Sequence, residues 1–197
     1  MMPIEACKAE VAAKLSPARA QHSFNVAAAA VRLAEKYGAD PAQAEIAGIL
    51  HDYMKETPEK EQLQLLAQSG IIVQDTERCA PKLLHAMTGA LAARTHFGVD
   101  DPAVLDAIRY HTTGRAGMTL LDKVLYIADF VSADRTYDGV DALRALADRN
   151  LDDAVFFGLA YTVGDLASHN RPIHEDTIRA YNELACACVR AEQEGNR

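Results

Sequence analysis

The chain has 197 residues, with 20 basic and 28 acidic side chains and a formal charge of −8. This length suffices for one full hydrophobic core, and the negative charge argues against a nucleic-acid partner or an anionic membrane surface. No apolar run approaches the roughly 18 residues that span a bilayer, and the first residues do not resemble a signal peptide, so we expect a cytoplasmic protein.

Proline pairs predict where several helices begin. Ser16-Pro17, Asp40-Pro41, Thr57-Pro58 and Asp101-Pro102 each place a capping side chain before a proline at the first helical position. Between these pairs, apolar residues recur at helical spacing and no stretch alternates long enough to predict a strand. In chain order, we predict helices at about 4–14, 17–37, 41–54, 58–68, 81–97, 102–110, 119–133, 140–147, 151–168 and 175–193.

This succession of helices predicts an all-α fold, a compact helical bundle without internal repeats. We expect a single domain over residues 1–197. The helices from about residue 151 onward should pack on the same core as the others.

Polar side chains interrupt the apolar faces of these helices. A single histidine in such a place is at least as often a hydrogen-bonded core residue as a ligand. Burying several imidazoles and carboxylates together costs free energy unless they are paired or bind a cation. The set therefore points to a metal site. Its members are His22, His51, Asp52, His85, His111 and Asp129.

The order and the surroundings of these residues resemble a known family. The segments "AEIAGILHDYMK" and "AIRYHTTGRAGMTLLDKVLYIADFVSADRTY" are similar to those of the HD-domain metal-dependent phosphohydrolases. Along almost its whole length, including "RPIHEDTIRAYNEL", the chain resembles the YqeK family of symmetrical bis(5′-nucleosyl)-tetraphosphatases. The resemblance implies an HD-domain bundle and an enzyme that cleaves dinucleoside tetraphosphates, such as diadenosine tetraphosphate, into two nucleoside diphosphates.

The same resemblance implies two divalent or trivalent metal ions per chain, with Asp52 bridging them. The ligands would be His22, His51, Asp52 and Asp129 for one ion, and Asp52, His85 and His111 for the other. Catalysis would then centre on Asp52, His85 and His111. The family is associated with iron, whereas imidazole and carboxylate donors alone would equally suit manganese, cobalt or zinc.

Residues beside the ligands are candidates for contact with the substrate. Arg19 shares a helix face with His22, and Lys55 follows His51 by about one turn, so both could reach a phosphate. Both could instead be solvated surface charges. Thr112 would either end a helix or meet a phosphate. The resemblance adds nucleotide contacts at Asp129, Arg135, Arg171, Pro172, Ile173, His174, Glu175 and Asp176, although the last six could simply form a turn before a helix.

Two other functions stay open from the sequence. Another HD phosphohydrolase, such as a nucleotidase or a guanosine-alarmone hydrolase, would use the same kind of metal centre. A non-catalytic nucleotide sensor is disfavoured, because a sensor does not need a metal pair that activates water. The expected partners are the dinucleoside polyphosphate and its nucleoside diphosphate product. The sequence leaves open whether the chain works as a monomer or a homodimer.

Overall fold

The computed structural model describes residues 1–195. Over these residues the chain forms eleven α-helices, one 3-10 helix and no strand, which confirms the all-α prediction. The α-helices are α1 Ile4–Lys14, α2 Pro17–Tyr37, α3 Pro41–Leu50, α4 Glu59–Gln68, α5 Asp75–Cys79, α6 Leu84–Thr95, α7 Pro102–Tyr110, α8 Leu120–Val131, α9 Val140–Arg149, α10 Leu151–Ser168 and α11 Glu175–Gly195. The 3-10 helix, Pro81–Leu83, lies between α5 and α6.

The helix predicted at 41–54 is too long, and the difference lies at the predicted metal site. α3 ends at Leu50, and residues 51–56 form turns. The ring of His51 donates to the carbonyl of Gly48, and the next backbone bond runs from Tyr53 only as far back as Leu50. A side chain thus engages a carbonyl in the last turn, and the helix ends where the His-Asp pair begins.

Two further helix starts differ from the prediction by one and three residues. Pro58 is itself the N-cap of α4, while Thr57 is buried and directs its hydroxyl to Met54. The helix predicted from residue 81 begins at Leu84, because the three residues before it are 3-10. The short α5 was not predicted, since five residues are too few to show a helical period.

The centre of the bundle consists of four helices, α2, α3, α7 and α8. α2 packs against α3 and α8, and α7 packs against α3, α6 and α8. α10 packs on α8 and also contacts α9 and α11. Buried residues of these four helices and of α10, including Leu33, Ile49, Ile108, Leu125 and Leu159, belong to one hydrophobic cluster. Within residues 1–195, every helix is too short or too polar to cross a membrane.

Gly48 lets α2 and α3 approach closely, and we expect its substitution to destabilise the fold. A methyl group there would lie 2.5 Å from the Cα atom of Ala27 and 2.8 Å from its backbone nitrogen. Gly48→Ala should lower the free energy of unfolding by about 1–3 kcal/mol, as overpacking does. Chemical denaturation measures the change.

Gly164→Ala in α10 is the matched control. Nothing lies within 4 Å of the added methyl group, and alanine is favoured over glycine inside a helix by roughly 0.5–1 kcal/mol. Equal stability of the two variants would contradict the close packing of α2 on α3.

Candidate metal centre

The fold brings the six predicted metal ligands together. His22 lies in α2 and Asp129 in α8, while His51 and Asp52 occupy the turn after α3. The other two are His85, near the start of α6, and His111, just after α7. The four imidazoles and the Asp52 carboxylate are each at most 4% exposed. Such burial demands that their polar atoms be satisfied by partners or by a cation.

The carboxylate of Asp52 lies among the four imidazoles. Its Oδ1 atom is 3.0 Å from Nε2 of His85 and 3.7 Å from Nε2 of His111. Its Oδ2 atom is 3.6 Å from Nε2 of His51 and 3.8 Å from Nε2 of His22. The two oxygens of one carboxylate therefore face two different pairs of imidazoles.

The second carboxylate, Asp129, faces only one of these pairs. Its Oδ1 atom lies 3.0 Å from Nε2 of His22. His22, His51 and Asp129 have donor atoms within 4.8 Å of one another, as do His51, Asp52 and His111. His51 thus belongs to both groups of potential metal ligands.

The hydrogen bonds of the imidazoles fix which nitrogen faces the centre. His51, His85 and His111 each contact a backbone carbonyl three residues earlier through Nδ1, at distances of 2.7, 2.5 and 2.7 Å. Nδ1 of His22 lies 2.7 Å from a carboxylate oxygen of Asp134. Carbonyls and carboxylates only accept, so in a neutral ring Nδ1 carries the proton and the Nε2 lone pair points inward.

These inward lone pairs fit a bound cation. Nε2 of His85 and Nε2 of His111 lie 3.2 Å apart, and a cation shared by the two nitrogens would make this close approach favourable. In the described part of the chain, Nε2 of His22, Nε2 of His51 and Oδ1 of Asp52 are buried without a hydrogen-bond partner. The residues present therefore fit a group that binds divalent metal.

The ionisation of the site suits the same purpose. Burial lowers the pKa of His51 and His85 to about 4, so both rings are neutral near pH 7. Burial alone would raise the pKa of Asp52, but the surrounding imidazoles and Lys55 hold it well below its usual value. Burial alone would also raise the pKa of Asp129, but the contact with His22 lowers it below its usual value. Neutral imidazoles and ionised carboxylates are the forms that ligate metals.

Three cationic side chains contact these carboxylates. Nη1 of Arg19 is 3.0 Å from Oδ2 of Asp52, and Nζ of Lys55 is 3.5 Å from its Oδ1. Nη2 of Arg135 is 2.5 Å from Oδ1 of Asp129. The side chains of Arg19 and Lys55 are 33% and 32% exposed, so each is partly buried beside the centre. Positive charge thus surrounds the carboxylates of the centre.

A cavity of about 460 Å³ opens beside the His85 and His111 half of the centre. Lys82, whose carbonyl contacts the His85 ring, and Thr112, which follows His111, both line it. Of the predicted nucleotide contacts, four line this cavity: Thr112, Arg171, Pro172 and His174. Its other lining residues are Cys79, Ala80, Pro81, Lys82, Leu83, Thr113, Thr162, Leu166 and Thr177. We call this space the large cavity.

Within the predicted segment 171–176, three residues do not line the large cavity. Ile173 is partly buried outside it, and Glu175 accepts a hydrogen bond from Thr76. The backbone N–H of Asp176 donates to Nδ1 of His174 at 3.1 Å. The other ring nitrogen, Nε2, is buried and lies 3.5 Å from Oε1 of Glu77.

Known proteins resemble this chain over most of its length. A family model described as the HD domain matches residues 19–134. A Bacillus subtilis protein named "Bis(5'-nucleosyl)-tetraphosphatase, symmetrical" is 42% identical over 171 residues, which are 87% of this chain and 91% of that protein. The chain belongs to this HD-domain family. A Halalkalibacterium halodurans protein of the same name is 39% identical over 86% of this chain and 90% of its own length.

A solved structure shows the same bundle. It is described as a predicted HD superfamily hydrolase involved in NAD metabolism from Clostridium acetobutylicum, and it shares 35% sequence identity with this chain. The TM-score is 0.92, over 95% of this chain and 99% of the other. The prediction of an HD-domain helical bundle is confirmed.

Asp134 is a member of this HD-domain site that the sequence did not reveal. It lies in the segment after α8 and contacts His22, a residue 112 positions away, while Asn25 donates to its other oxygen at 3.0 Å. A carboxylate behind a metal-ligating histidine orients the ring and raises its basicity. A single aspartate beyond a helix end carries no periodic signal, so only the tertiary contact exposes it.

We expect Asp134→Ala to weaken metal binding at the His22 half by about 10- to 100-fold, the usual effect of losing such a partner. Titration of the metal-free protein, followed by calorimetry, measures the affinity. Asp134→Asn retains an amide oxygen as an acceptor and should lose less. Equal affinities of both variants and the wild type would show that Asp134 does not orient His22.

Proposed function

We propose that this HD-domain protein is a metal-dependent hydrolase that cleaves dinucleoside tetraphosphates, such as diadenosine tetraphosphate, into two nucleoside diphosphates. The observation that carries the proposal is the Asp52 carboxylate among four inward-facing imidazole nitrogens. The relatives from Bacillus subtilis and Halalkalibacterium halodurans, both named as symmetrical tetraphosphatases, support the choice of substrate.

Two ions per chain are the number that this donor set favours. Oδ1 of Asp52 faces His85 and His111, whereas Oδ2 faces His51 and His22. One carboxylate can therefore serve two neighbouring ions, with Asp129 completing the set on the His22 side. Mixed imidazole and carboxylate donors suit iron, manganese, cobalt or zinc, and we propose iron from the family resemblance.

When bound, such ions activate water as the nucleophile and neutralise charge on the phosphoryl group under attack. Asp52, His85 and His111 lie where the phosphoryl group under attack would bind. The large cavity beside them accepts one nucleoside. Arg19 and Lys55 lie within 3.5 Å of Asp52 and can bind phosphate oxygens there.

Rates on three classes of substrate test this proposal. The metal-loaded protein should hydrolyse diadenosine tetraphosphate with a higher kcat/KM than a nucleoside monophosphate or a guanosine alarmone, and a chelator should abolish the activity. Faster hydrolysis of the alarmone or the monophosphate would favour another HD phosphohydrolase. Tight binding of diadenosine tetraphosphate without hydrolysis would favour a sensor.

We expect Arg19→Ala to lower kcat/KM for diadenosine tetraphosphate by about tenfold to a hundredfold while leaving the metal content unchanged. A charge-assisted hydrogen bond of this kind contributes roughly 1.5–3 kcal/mol. Steady-state kinetics and elemental analysis of the same preparation measure the two quantities. Full activity of the variant would show that Arg19 does not bind a phosphate of the substrate.

A further inference from the structure

A second cavity, of about 250 Å³, opens at the Asp129 half of the metal centre. Besides Asp129 and Arg135, its lining consists of three aromatic side chains, Phe130, Tyr137 and Tyr161. It shares no lining residue with the large cavity, which opens beside His85 and His111. We call it the aromatic cavity.

Helix α10 contributes to both cavities. Tyr161 lines the aromatic cavity, while Thr162 and Leu166 line the large one. Consecutive helical residues point about 100° apart, so one helix can present side chains to two different spaces. Because α10 packs on α8, it is held against the helix that carries Asp129.

The aromatic cavity has the chemistry of a nucleotide site. The hydroxyl of Tyr137 donates to the carbonyl of Phe130 at 2.9 Å, which holds one ring in place. Tyr161 is 56% exposed, and its ring face is therefore accessible to a ligand. Arg135 adds a guanidinium that is anchored on the backbone carbonyl of Asp129 at 2.9 Å. An aromatic face for a base beside a guanidinium for phosphate is a common arrangement for binding nucleotides.

We propose that the aromatic cavity binds the second nucleoside of the dinucleoside tetraphosphate, with its base stacked on Tyr161 and its phosphates at Arg135. This inference rests on the proposed function. A substrate that has a nucleoside at each end and is cut in its middle must extend away from the metal centre in two directions. One cavity at each half of the centre meets that requirement.

Two substrates that differ only in the second nucleoside test the proposal. Diadenosine tetraphosphate carries two nucleosides, whereas adenosine 5′-tetraphosphate carries one, which the large cavity would hold. Tyr161→Ala should lower kcat/KM for diadenosine tetraphosphate roughly 5- to 150-fold, the range for losing one stacking aromatic, and leave adenosine tetraphosphate unaffected. Phe157→Ala is the matched control, since Phe157 is a 49% exposed aromatic of α10 that does not line the cavity.

Binding without turnover gives an independent measurement. The chain has no tryptophan, so Tyr161→Trp introduces a single reporter, and Phe157→Trp is its control. A non-hydrolysable methylene analogue of diadenosine tetraphosphate should quench the emission of Tyr161→Trp, and adenosine tetraphosphate should not. Equal quenching by both ligands, or none by the analogue, would overturn the proposal.

The outcomes separate this inference from the proposed function. A wild-type protein that fails to hydrolyse diadenosine tetraphosphate would reject the proposed function itself. A wild-type protein that cleaves it normally, together with a Tyr161→Ala variant that loses nothing or loses equally on both substrates, would reject only the aromatic cavity as the second site. Equal losses in Tyr161→Ala and Phe157→Ala would also reject it.

Discussion

Asp52→Ala should lose most of both metal ions and reduce kcat/KM by more than about a thousandfold, beyond the range seen when a single preorganised catalytic donor is removed. The reason is that the two oxygens of Asp52 face different pairs of imidazoles, at 3.0 to 3.8 Å. Elemental analysis of the purified variant gives the metal content directly.

Asp52→Asn is the companion variant, because it keeps the volume of the side chain and removes its charge. It should also lose metal, which would show that the charge, rather than local packing, holds the ions. A folded Asp52→Ala variant with full metal content would contradict the bridging role.

His85→Ala should instead retain about one ion per chain and still lose most of its activity. Nε2 of His85 lies 3.0 Å from Oδ1 of Asp52 and 3.2 Å from Nε2 of His111, on the side of Asp52 away from Asp129. Its removal should therefore empty one half of the centre and leave the His22 half intact. Elemental analysis and steady-state kinetics on the same preparation test both statements.

His169→Ala is the control for this experiment. The side chain of His169 is 68% exposed and contacts only its own helix end in the described residues, so the variant should keep its metal and its activity. Loss of both ions in His85→Ala would contradict the division of the centre into two halves.

The predicted ligand residues could be identified from the sequence because their types conflict with their surroundings. An imidazole in an apolar helical segment is conspicuous, and four of them with two aspartates are more so. Helical periodicity likewise sufficed for most of the bundle. That the whole chain forms one domain stays a prediction.

The remaining features depend on contacts between distant parts of the chain. The end of α3 was misplaced because a ring-to-carbonyl bond of His51, not a proline or glycine, accompanies it. Asp134 lies beside His22 only in the folded chain. Cys79 lines the large cavity and Tyr161 the aromatic one, although neither belongs to a motif that suggests binding. The shape of a cavity and the contacts between distant residues leave no periodic pattern in a sequence.

We expect water to attack the middle of the tetraphosphate, so that each cleavage releases two nucleoside diphosphates. Hydrolysis of diadenosine tetraphosphate in ¹⁸O-labelled water, followed by chromatography and mass spectrometry, tests it most directly. We expect ADP as the sole product, with one ¹⁸O atom in one of the two ADP molecules from each cleavage. A mixture of ATP and AMP would contradict it, because the bond broken would then lie one phosphate away from the middle.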